Sequence, residues 1–383
     1  MKNIKKIIAI ILICIIALPL GSCAEERELE FYVHTMGLYV DKNPNKEEFI
    51  VSLEIIDTND EDIGYTPKLV EGRGKSMHEA LRNVCNTTGR KVSMSHCSAV
   101  VFGKSAINEG LVPVLDLIYR DSEVRADMFI IITKSDTAIE LLKKSRDQNE
   151  VLSFKVIGAD QSEKYSGEYV LTKAFDIIDA IEDEGIDPVV CNIESVQTNY
   201  ENVAMLKGAY LFNGDMLSGY IDEDKSKILN LLINPKEVNS LFEVNTEDGT
   251  EITYDITAYR CKIKPLIKED KIVMQINIDM NGIITEINGG GKKYLNKQNR
   301  YYTKKKLEEK LENEIRELVY DLQYEYNSDA IGFGRMISRK NPKIWNKLKD
   351  DWVNNFKKVE VEVNCNANIR AGGLSSREIE KGK

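Results

Sequence analysis

A short apolar run near the amino end decides which part of this chain can form a folded body. The run extends from Ile7 to Leu20 and follows three lysines, Lys2, Lys5 and Lys6. A permanent transmembrane helix needs about 20 apolar residues, and this run is shorter. Basic residues followed by a short apolar run are typical of a secretory signal. We therefore predict that residues 1–22 are a signal peptide and that the folded body follows it.

The apolar run ends in Leu20-Gly21-Ser22-Cys23. This junction resembles the bacterial lipobox, in which the signal is cut before the cysteine and the thiol receives diacylglycerol. A cysteine is needed because its thiolate is the nucleophile, and the nearby Cys14 has no small residue before it. We predict cleavage between Ser22 and Cys23, a diacylglycerol and an acyl chain on Cys23, and an exported protein that these chains hold to the membrane. An ordinary signal or an uncleaved anchor is the alternative.

The charge of the chain limits its partners. Loss of residues 1–22 removes three lysines and no acidic residue, so the formal charge falls from −10 to −13. A chain this acidic has no broad attraction to nucleic acid or to an anionic lipid surface. We therefore expect no nucleic-acid partner, and the lipid on Cys23 has to supply the hold on the membrane.

No group of residues in the sequence predicts catalysis or metal binding. His34, His78 and His96 are too far apart in sequence to form a spaced metal-ligand motif. The glycines 289–291 lack the strand, helix and Lys-Ser/Thr pair of a phosphate-binding loop, and the sequence has no nucleophile elbow. We predict a protein that is not an enzyme, with no catalytic residue, no metal and no cofactor besides the covalent lipid.

The cysteines that follow the predicted lipid attachment site are scattered and odd in number. A disulfide framework would need a regular, paired spacing in a small domain. The sequence therefore leaves the disulfide state of these residues open. They are Cys85, Cys97, Cys191, Cys261 and Cys365.

Strand-like and helix-like segments alternate irregularly along the chain. Phe31–Val40 and Phe49–Ile56 read as a hairpin across a polar turn, and Ser76 with Glu79 forms a capping box that begins a helix. The longest helix is predicted over Tyr302–Tyr326, with a stripe of leucines and isoleucines at helical spacing. The order of elements predicts an α+β, multi-domain protein with mixed and antiparallel sheets packed by helices.

Length and composition predict more than one domain. We expect an N-terminal region over 23–200, a C-terminal α+β domain over 201–374 and a tail over 375–383. The lysine- and glutamate-rich stretch 143–168 has few apolar residues and reads as an excursion or linker. Whether the N-terminal region is one domain or two subdomains stays open.

One charged loop is a candidate partner surface. Arg120, Asp121, Glu123 and Arg125 lie between a predicted helix and a predicted buried strand, where functional surfaces often occur. The alternative is a set of ion pairs within the chain. The aromatic and glycine residues near the carboxyl end, Phe333, Trp345 and Trp352 among them, read as packing of the C-terminal domain, with an exposed partner contact as the alternative.

Several segments together resemble a known family. The segments are the lipobox, Gly74–Arg82, Ser95–Gly103, Leu115–Arg125, Gly208–Phe212, Leu217–Tyr220, Ser328–Gly334, Asn341–Trp345 and Asp350–Trp352. Over nearly the whole mature chain and in the same order, they resemble the Ger(x)C family, the lipoprotein C subunit of nutrient germinant receptors in endospore-forming bacteria. The family usually has a tryptophan just after the lipid-bearing cysteine, where this chain has Ala24 and Glu25.

The resemblance implies a three-domain mixed α/β fold on the outer face of the spore inner membrane. It also implies assembly with an integral membrane A subunit and a transporter-like B subunit, and a family without established enzymatic activity. Whether this chain itself binds a nutrient stays open. An export-anchored solute-binding lipoprotein is the alternative; such proteins have two lobes with regular β-α-β alternation, which the antiparallel pattern over Glu251–Ile287 argues against.

Overall fold

The computed structural model describes residues 32–43, 45–56, 67–145, 151–234, 240–246, 249–268, 271–289 and 297–370. The predicted signal peptide, Ser22, Cys23 and the tail 375–383 lie outside these residues. The strands are β1 Tyr32–Asn43, β2 Glu48–Ile56, β3 Pro67–Gly74, β4 Lys91–Ser93, β5 Ala99–Phe102, β6 Phe129–Thr133, β7 Thr172–Lys173, β8 Val189–Gln197, β9 Asn202–Asn213, β10 Met216–Ile221, β11 Leu241–Asn245, β12 Glu251–Lys268, β13 Lys271–Asn288 and β14 Glu360–Arg370. The α-helices are α1 Met77–Thr88, α2 Val112–Arg120, α3 Ala138–Ser145, α4 Leu152–Ser166, α5 Ala174–Glu182, α6 Glu223–Ile233, α7 Lys297–Tyr324, α8 Phe333–Lys340, α9 Pro342–Leu348 and α10 Trp352–Phe356.

A mixed sheet of ten strands organises the first half of the described chain. Its main order is β10-β9-β8-β6-β5-β1-β2-β3, with β4 beside β1 and β7 beside β6. The central strands β1, β5, β6 and β8 are parallel, and antiparallel pairs extend the sheet at both ends. The sheet therefore continues past residue 200 through β9 and β10. This mixed architecture confirms the predicted fold class.

Helices cover both faces of this sheet. α1, α2 and α5 pack on one face with β1 residues Leu38 and Val40, while α3 and α4 pack on the other with Tyr39. Successive strand residues point to opposite faces, so both faces of β1 are apolar because both are covered. We call this sheet with α1–α5 the N-terminal unit.

The predicted ends of α1 agree with the structure, and the predicted beginning of α2 does not. The Ser76 hydroxyl accepts a hydrogen bond from the Glu79 N–H at 3.1 Å, and Gly89 ends α1 in the left-handed region at φ 67°, which confirms the Ser76 cap and the glycine terminus. The Glu79 carboxylate accepts from the N–H of Lys75 at 2.7 Å, one residue before the N–H expected in a capping box. The sequence pattern predicts a second helix over 105–119, but α2 begins only at Val112. Pro113 then lies in its first turn, where a missing N–H costs nothing.

Two buried carboxylates of the sheet fix the beginnings of α3 and α4. Asp41 accepts hydrogen bonds from the N–H of Ala138 at 2.7 Å and from the next N–H at 3.2 Å. Glu54 accepts from the N–H of Leu152 at 2.9 Å and from the N–H and hydroxyl of Ser153. Negative charge is favourable at a helix N-terminus. The stretch read from sequence as an excursion or linker thus contains α4, which is anchored to the sheet by Glu54.

The second half forms a four-stranded sheet around a long helix, and we call it, with α6–α10, the C-terminal unit. The strand order is β11-β12-β13-β14; β12 and β13 are antiparallel, and β14 runs parallel to β13. A parallel neighbour needs a long crossover, which α7–α10 provide. The predicted apolar stripe of α7 is fully buried. It consists of Leu307, Leu311, Ile315, Leu318, Val319 and Leu322.

α7 also covers the free edge of β14 with side chains spaced one turn apart. Four helical residues rise about 6.0 Å and two strand residues advance about 6.6 Å, so the two periodicities match. An exposed strand edge can pair with strands of other chains. Here, side chains of α7 form hydrogen bonds with backbone groups at that edge. The contacts are Glu308 Oε1 with the N–H of Ala367 (2.9 Å), Glu312 Oε1 with the N–H of Cys365 (3.1 Å) and Arg316 Nη2 with the carbonyl of Val363 (3.2 Å).

The described ranges can be searched for membrane-spanning helices and for disulfide bonds. None of the helices in them is both long and apolar enough to cross a bilayer. No disulfide joins the five cysteines in this part of the chain; burial raises the pKa of the Cys97 thiol to about 12, so that thiol is an inert, buried group.

Candidate functional site at the junction of the two units

The predicted partner surface is exposed; Arg120, Glu123 and Arg125 each form an ion pair within the chain, and Asp121 lies beside His78, which pairs with it only when the imidazole is protonated. The pairs hold the loop to α1, to β4 and to its own neighbours. Exposed pairs of this kind contribute little to stability. They are Arg120 with Asp116 (2.7 Å), Asp121 with His78 (3.8 Å), Glu123 with Lys91 (2.6 Å) and Arg125 with Asp127 (2.7 Å).

A second site, which the sequence did not predict, lies where the two units meet. The loop after α5 contacts the loop before α8 through reciprocal hydrogen bonds. The Asp187 N–H donates to the carbonyl of Asp329 at 3.1 Å, and Asp187 Oδ2 accepts from the Asp329 N–H at 2.7 Å. The other oxygen of Asp187 accepts from the N–H of Gly214, in the β9–β10 turn, at 2.7 Å. One side chain thus joins three segments.

Asp329 is the most buried acid of the junction. Its Oδ1 accepts from the N–H groups of Gly332 at 2.9 Å and Phe333 at 2.8 Å. Its Oδ2 accepts from the N–H of Gly334 at 2.8 Å and from Trp352 Nε1 at 3.0 Å. Burial raises the pKa of Asp329 to about 7, and these hydrogen bonds oppose the rise. The carboxyl group therefore organises the start of α8 and ties it to α10.

Glycines permit this close approach. Gly332 has φ 80°, a conformation that other residues rarely adopt. A Cβ on Gly334 would lie 2.8 Å from the Cα of Gly185 and 2.8 Å from the ring of Trp345. The Gly185 carbonyl accepts from the N–H of Arg335 at 2.7 Å. Backbone of one unit thus lies directly on backbone of the other.

Arg335 completes the junction with two ion pairs. Its Nε lies 2.7 Å from Asp183 Oδ2, and its Nη2 lies 2.8 Å from Asp179 Oδ2. The arginine belongs to α8 of the C-terminal unit, and both acids belong to the segment that carries α5 into β8. Since the Arg335 side chain is only one-fifth exposed, this pairing is shielded from water more than the pair of Arg120 with Asp116.

Aromatic side chains fill the space behind Asp329. Trp345 and Trp352 lie edge to face with ring centroids 5.0 Å apart, and Phe333 lies in the same way against Phe356 at 6.0 Å. These rings are buried, which confirms that they pack the C-terminal unit. The sequence analysis did not identify Asp329 as a functional residue. The signal that could have found it is an acid three residues before Gly-Phe-Gly, because the two glycines leave backbone N–H groups accessible to a carboxylate.

The structure brings together two of the histidines that are distant in sequence. The rings of His34 and His96 lie 5.2 Å apart, edge to face. Burial, and then the neighbouring ring of His96, lower the pKa of His34. Within the described ranges, no three His, Cys, Asp or Glu side chains are grouped as a metal site would require.

The contacts of Asp187, Asp329 and Arg335 at the junction can join the two units and fix their relative orientation.

The comparisons with known families cover both halves of the chain. Residues 25–195 match the family described as spore germination protein N-terminal domain. Residues 207–373 match the family described as spore germination B3/GerAC like, C-terminal. The stretch between the two matches, residues 196–206, contains the end of β8, the turn that follows and the first part of β9.

Similar proteins span almost the same length. Spore germination protein B3 of Bacillus subtilis (strain 168) is 21% identical over 92% of this chain and 94% of its own. Spore germination protein KC of the same organism is 23% identical over 98% of both. The crystal structure of the GerBC protein covers 87% of this chain and 96% of its own with a TM-score of 0.58 and 19% identity, which shows a shared fold.

Proposed function

Because the chain belongs to the GerAC-like family of spore germination proteins, we propose that it is the lipid-anchored, non-catalytic C subunit of a spore nutrient-germinant receptor. In this role the signal peptide is cut before Cys23, and the lipidated cysteine holds the protein on the outer face of the spore inner membrane. The A and B membrane subunits are its partners, and receptor assembly and the response to nutrient depend on it.

The observation that carries the proposal is the family match in both halves. The two matched regions follow the same order as the family segments seen in the sequence, and relatives named as spore germination proteins align over nearly their full length. A lipid tether would raise the local concentration of the folded units beside membrane partners. An assembly role needs contact surfaces for the partners and a fixed relative orientation of the two units. The hydrogen bonds between Asp187 and Asp329 support such a fixed orientation.

The test is affinity capture of a tagged copy from detergent-solubilised dormant-spore membranes, with partners identified by mass spectrometry. We expect a multi-span transporter-like protein and an A-type membrane subunit to be recovered together with it. A matched sample carries Cys23→Ala; this variant should leave the membrane fraction and capture neither partner. Recovery of the wild-type protein alone would contradict the receptor assignment.

A germination assay tests the second half of the proposal. Spores in which the gene is deleted should fail to respond to the nutrient that its receptor detects, while germination by other stimuli continues. Normal responses to every nutrient of the wild-type strain, in a strain with a single gene copy of this family, would contradict it.

A further inference from the structure

A cleft of about 500 Å³ lies beside the junction; we call it the junction cleft. Its walls come from α5, the last turn of α6 and α8, so both units contribute. Small-molecule sites commonly have volumes of about 300–1,000 Å³ and lie between structural units. The junction cleft fits both descriptions, and the junction contacts described above do not fill it.

The floor of the cleft is apolar. Val170 and Leu232 are buried there, with Ile331 and the partly buried Met336 of the C-terminal unit. An apolar floor with a few placed polar groups is the usual composition of a ligand site. The cleft therefore suits a ligand with a compact apolar body.

One polar group in the wall has an unused hydrogen-bonding atom. Asn230 is fully buried, and its Nδ2 donates to the carbonyls of Tyr169 at 2.9 Å and Gly167 at 3.4 Å. These bonds fix the orientation of the amide. Its Oδ1 has no hydrogen-bond partner, and an unmatched buried acceptor costs about 1–3 kcal/mol. That atom is closed off from the cleft, so a ligand donor reaches it only when the wall shifts slightly, and the bond would then remove that cost.

The charges around the cleft favour a positive donor. The carboxylates of Asp160, Asp176 and Asp179 line it. Asp187 lines it too, so four acids face two cations. Arg335 is paired with Asp179 and a second acid, the Lys173 ammonium lies over the ring of Phe129, 5.6 Å from its centroid, and both cations offset part of the charge of Asp176. The C-terminal turn of α6 adds the negative end of a helix dipole.

We propose that the junction cleft binds a small organic ammonium ion with a branched apolar body. The ammonium group would pair with Asp176 at the rim and, once the wall of the cleft shifts slightly, donate to Asn230 Oδ1, while the apolar body contacts Leu232 and Met336. The cleft belongs to this chain alone, so the proposal goes beyond the receptor role and does not depend on the membrane subunits. A bound ligand would touch both units and would bias their relative orientation.

The probe is 3-methylbutylamine, compared with the isosteric 3-methylbutanol and with 4-methylpentanoate. Binding to the full-length chain in detergent is measured by saturation-transfer NMR titration. We expect the amine to bind about tenfold more tightly than the alcohol, a difference of about 1.4 kcal/mol, and the carboxylate to bind more weakly than both. Equal binding of amine and alcohol, preference for the carboxylate, or no binding of the amine would overturn the proposal.

Three variants locate the site. Asp176→Asn should weaken binding of the amine about fivefold, as expected for one partly exposed ion pair, and should leave the alcohol unchanged. Met336→Trp fills the cleft and should abolish binding of both. Glu182→Gln, on an exposed acid of the same helix outside the cleft, is the matched control and should bind like wild type. If Asp176→Asn and Met336→Trp both bind like wild type while folded, the amine binds elsewhere and the proposal fails.

Discussion

Asp187 and Asp329 hold each other's backbone across the junction, since the N–H of each donates to an oxygen of the other. One acid belongs to the ten-stranded sheet unit and the other to the unit built on α7. The Asp187 carboxylate also accepts from Gly214. Two residues therefore fix three segments that are distant in sequence, and the orientation of the two units depends on them.

Replacing Asp329 by asparagine should destabilise the protein. The amide keeps one acceptor oxygen, but its NH₂ group must face two of the four donors that now point at the carboxylate. At pH 8, where the carboxyl group is ionised, loss of these buried, charge-assisted hydrogen bonds costs about 2–4 kcal/mol. Urea denaturation should show the loss as a lower midpoint. Asp350→Asn, an exposed acid in the same part of the chain, is the control; equal midpoints for Asp329→Asn and wild type would contradict this role.

The same residue should give the stability a pH dependence of definite sign. Burial raises the pKa of Asp329 from 3.8 to about 7, so the folded chain binds this proton more tightly than the unfolded chain. The free energy of unfolding should therefore fall as the pH rises from about 4 to about 7, by at most about 1.4 kcal/mol per pH unit for one proton. The difference between wild type and Asp329→Asn, measured at pH 5 and pH 8, isolates this contribution. A difference that does not change with pH would show that Asp329 is ionised throughout.

Removing an α7 side chain that bonds the edge of β14 should lower the free energy of unfolding, whereas removing its exposed neighbour should not. Glu308→Ala leaves the N–H of Ala367 buried without an acceptor, which costs about 1–3 kcal/mol. Glu309→Ala, one residue along on the exposed face of α7, should change the unfolding free energy by less than about 0.5 kcal/mol. Thermal denaturation of both variants measures the contrast, and equal melting temperatures would disprove the role of Glu308 at this edge.

The helix anchors in the first sheet make a parallel prediction. Asp41→Ala removes the acceptor for two N–H groups at the start of α3 and should lower the free energy of unfolding by about 2 kcal/mol. Asp136 lies at the same end of α3 but is exposed, so Asp136→Ala tests whether charge near the helix end is sufficient. If the two variants lose the same stability, the buried hydrogen bonds of Asp41 are not the cause.

The predicted anchor has its own test. Cys23→Ala should leave the circular dichroism spectrum of the folded units unchanged and move the protein from the membrane fraction to the soluble fraction. The reason is that the sequence after residue 22 has no apolar run comparable to Ile7–Leu20. Unchanged membrane fractionation of this variant would contradict lipid attachment at Cys23.

Local chemistry predicted much of this fold. The Ser76 cap of α1, the buried stripe of α7 and the β12–β13 pairing all follow from patterns within a few residues. α6 and β11 were not predicted: the buried positions of α6 include Ser226 and Asn230, so its apolar periodicity is weak. The junction was not predicted either, because Asp187 and Asp329 meet only after both units have folded, and no spacing in the sequence records a contact across 142 residues.

The covered edge of β14 restricts how another protein can recognise the C-terminal unit. Between Val363 and Ala367, α7 lies along the edge and bonds three outward groups: the carbonyl of Val363 and the N–H groups of Cys365 and Ala367. A partner strand therefore cannot extend the sheet there by backbone pairing, the common mode of recognition at an open sheet edge. Any subunit that contacts this side of the molecule has to read side chains, and specificity at that contact would lie in the surface residues of α7 and of the outer sheet face.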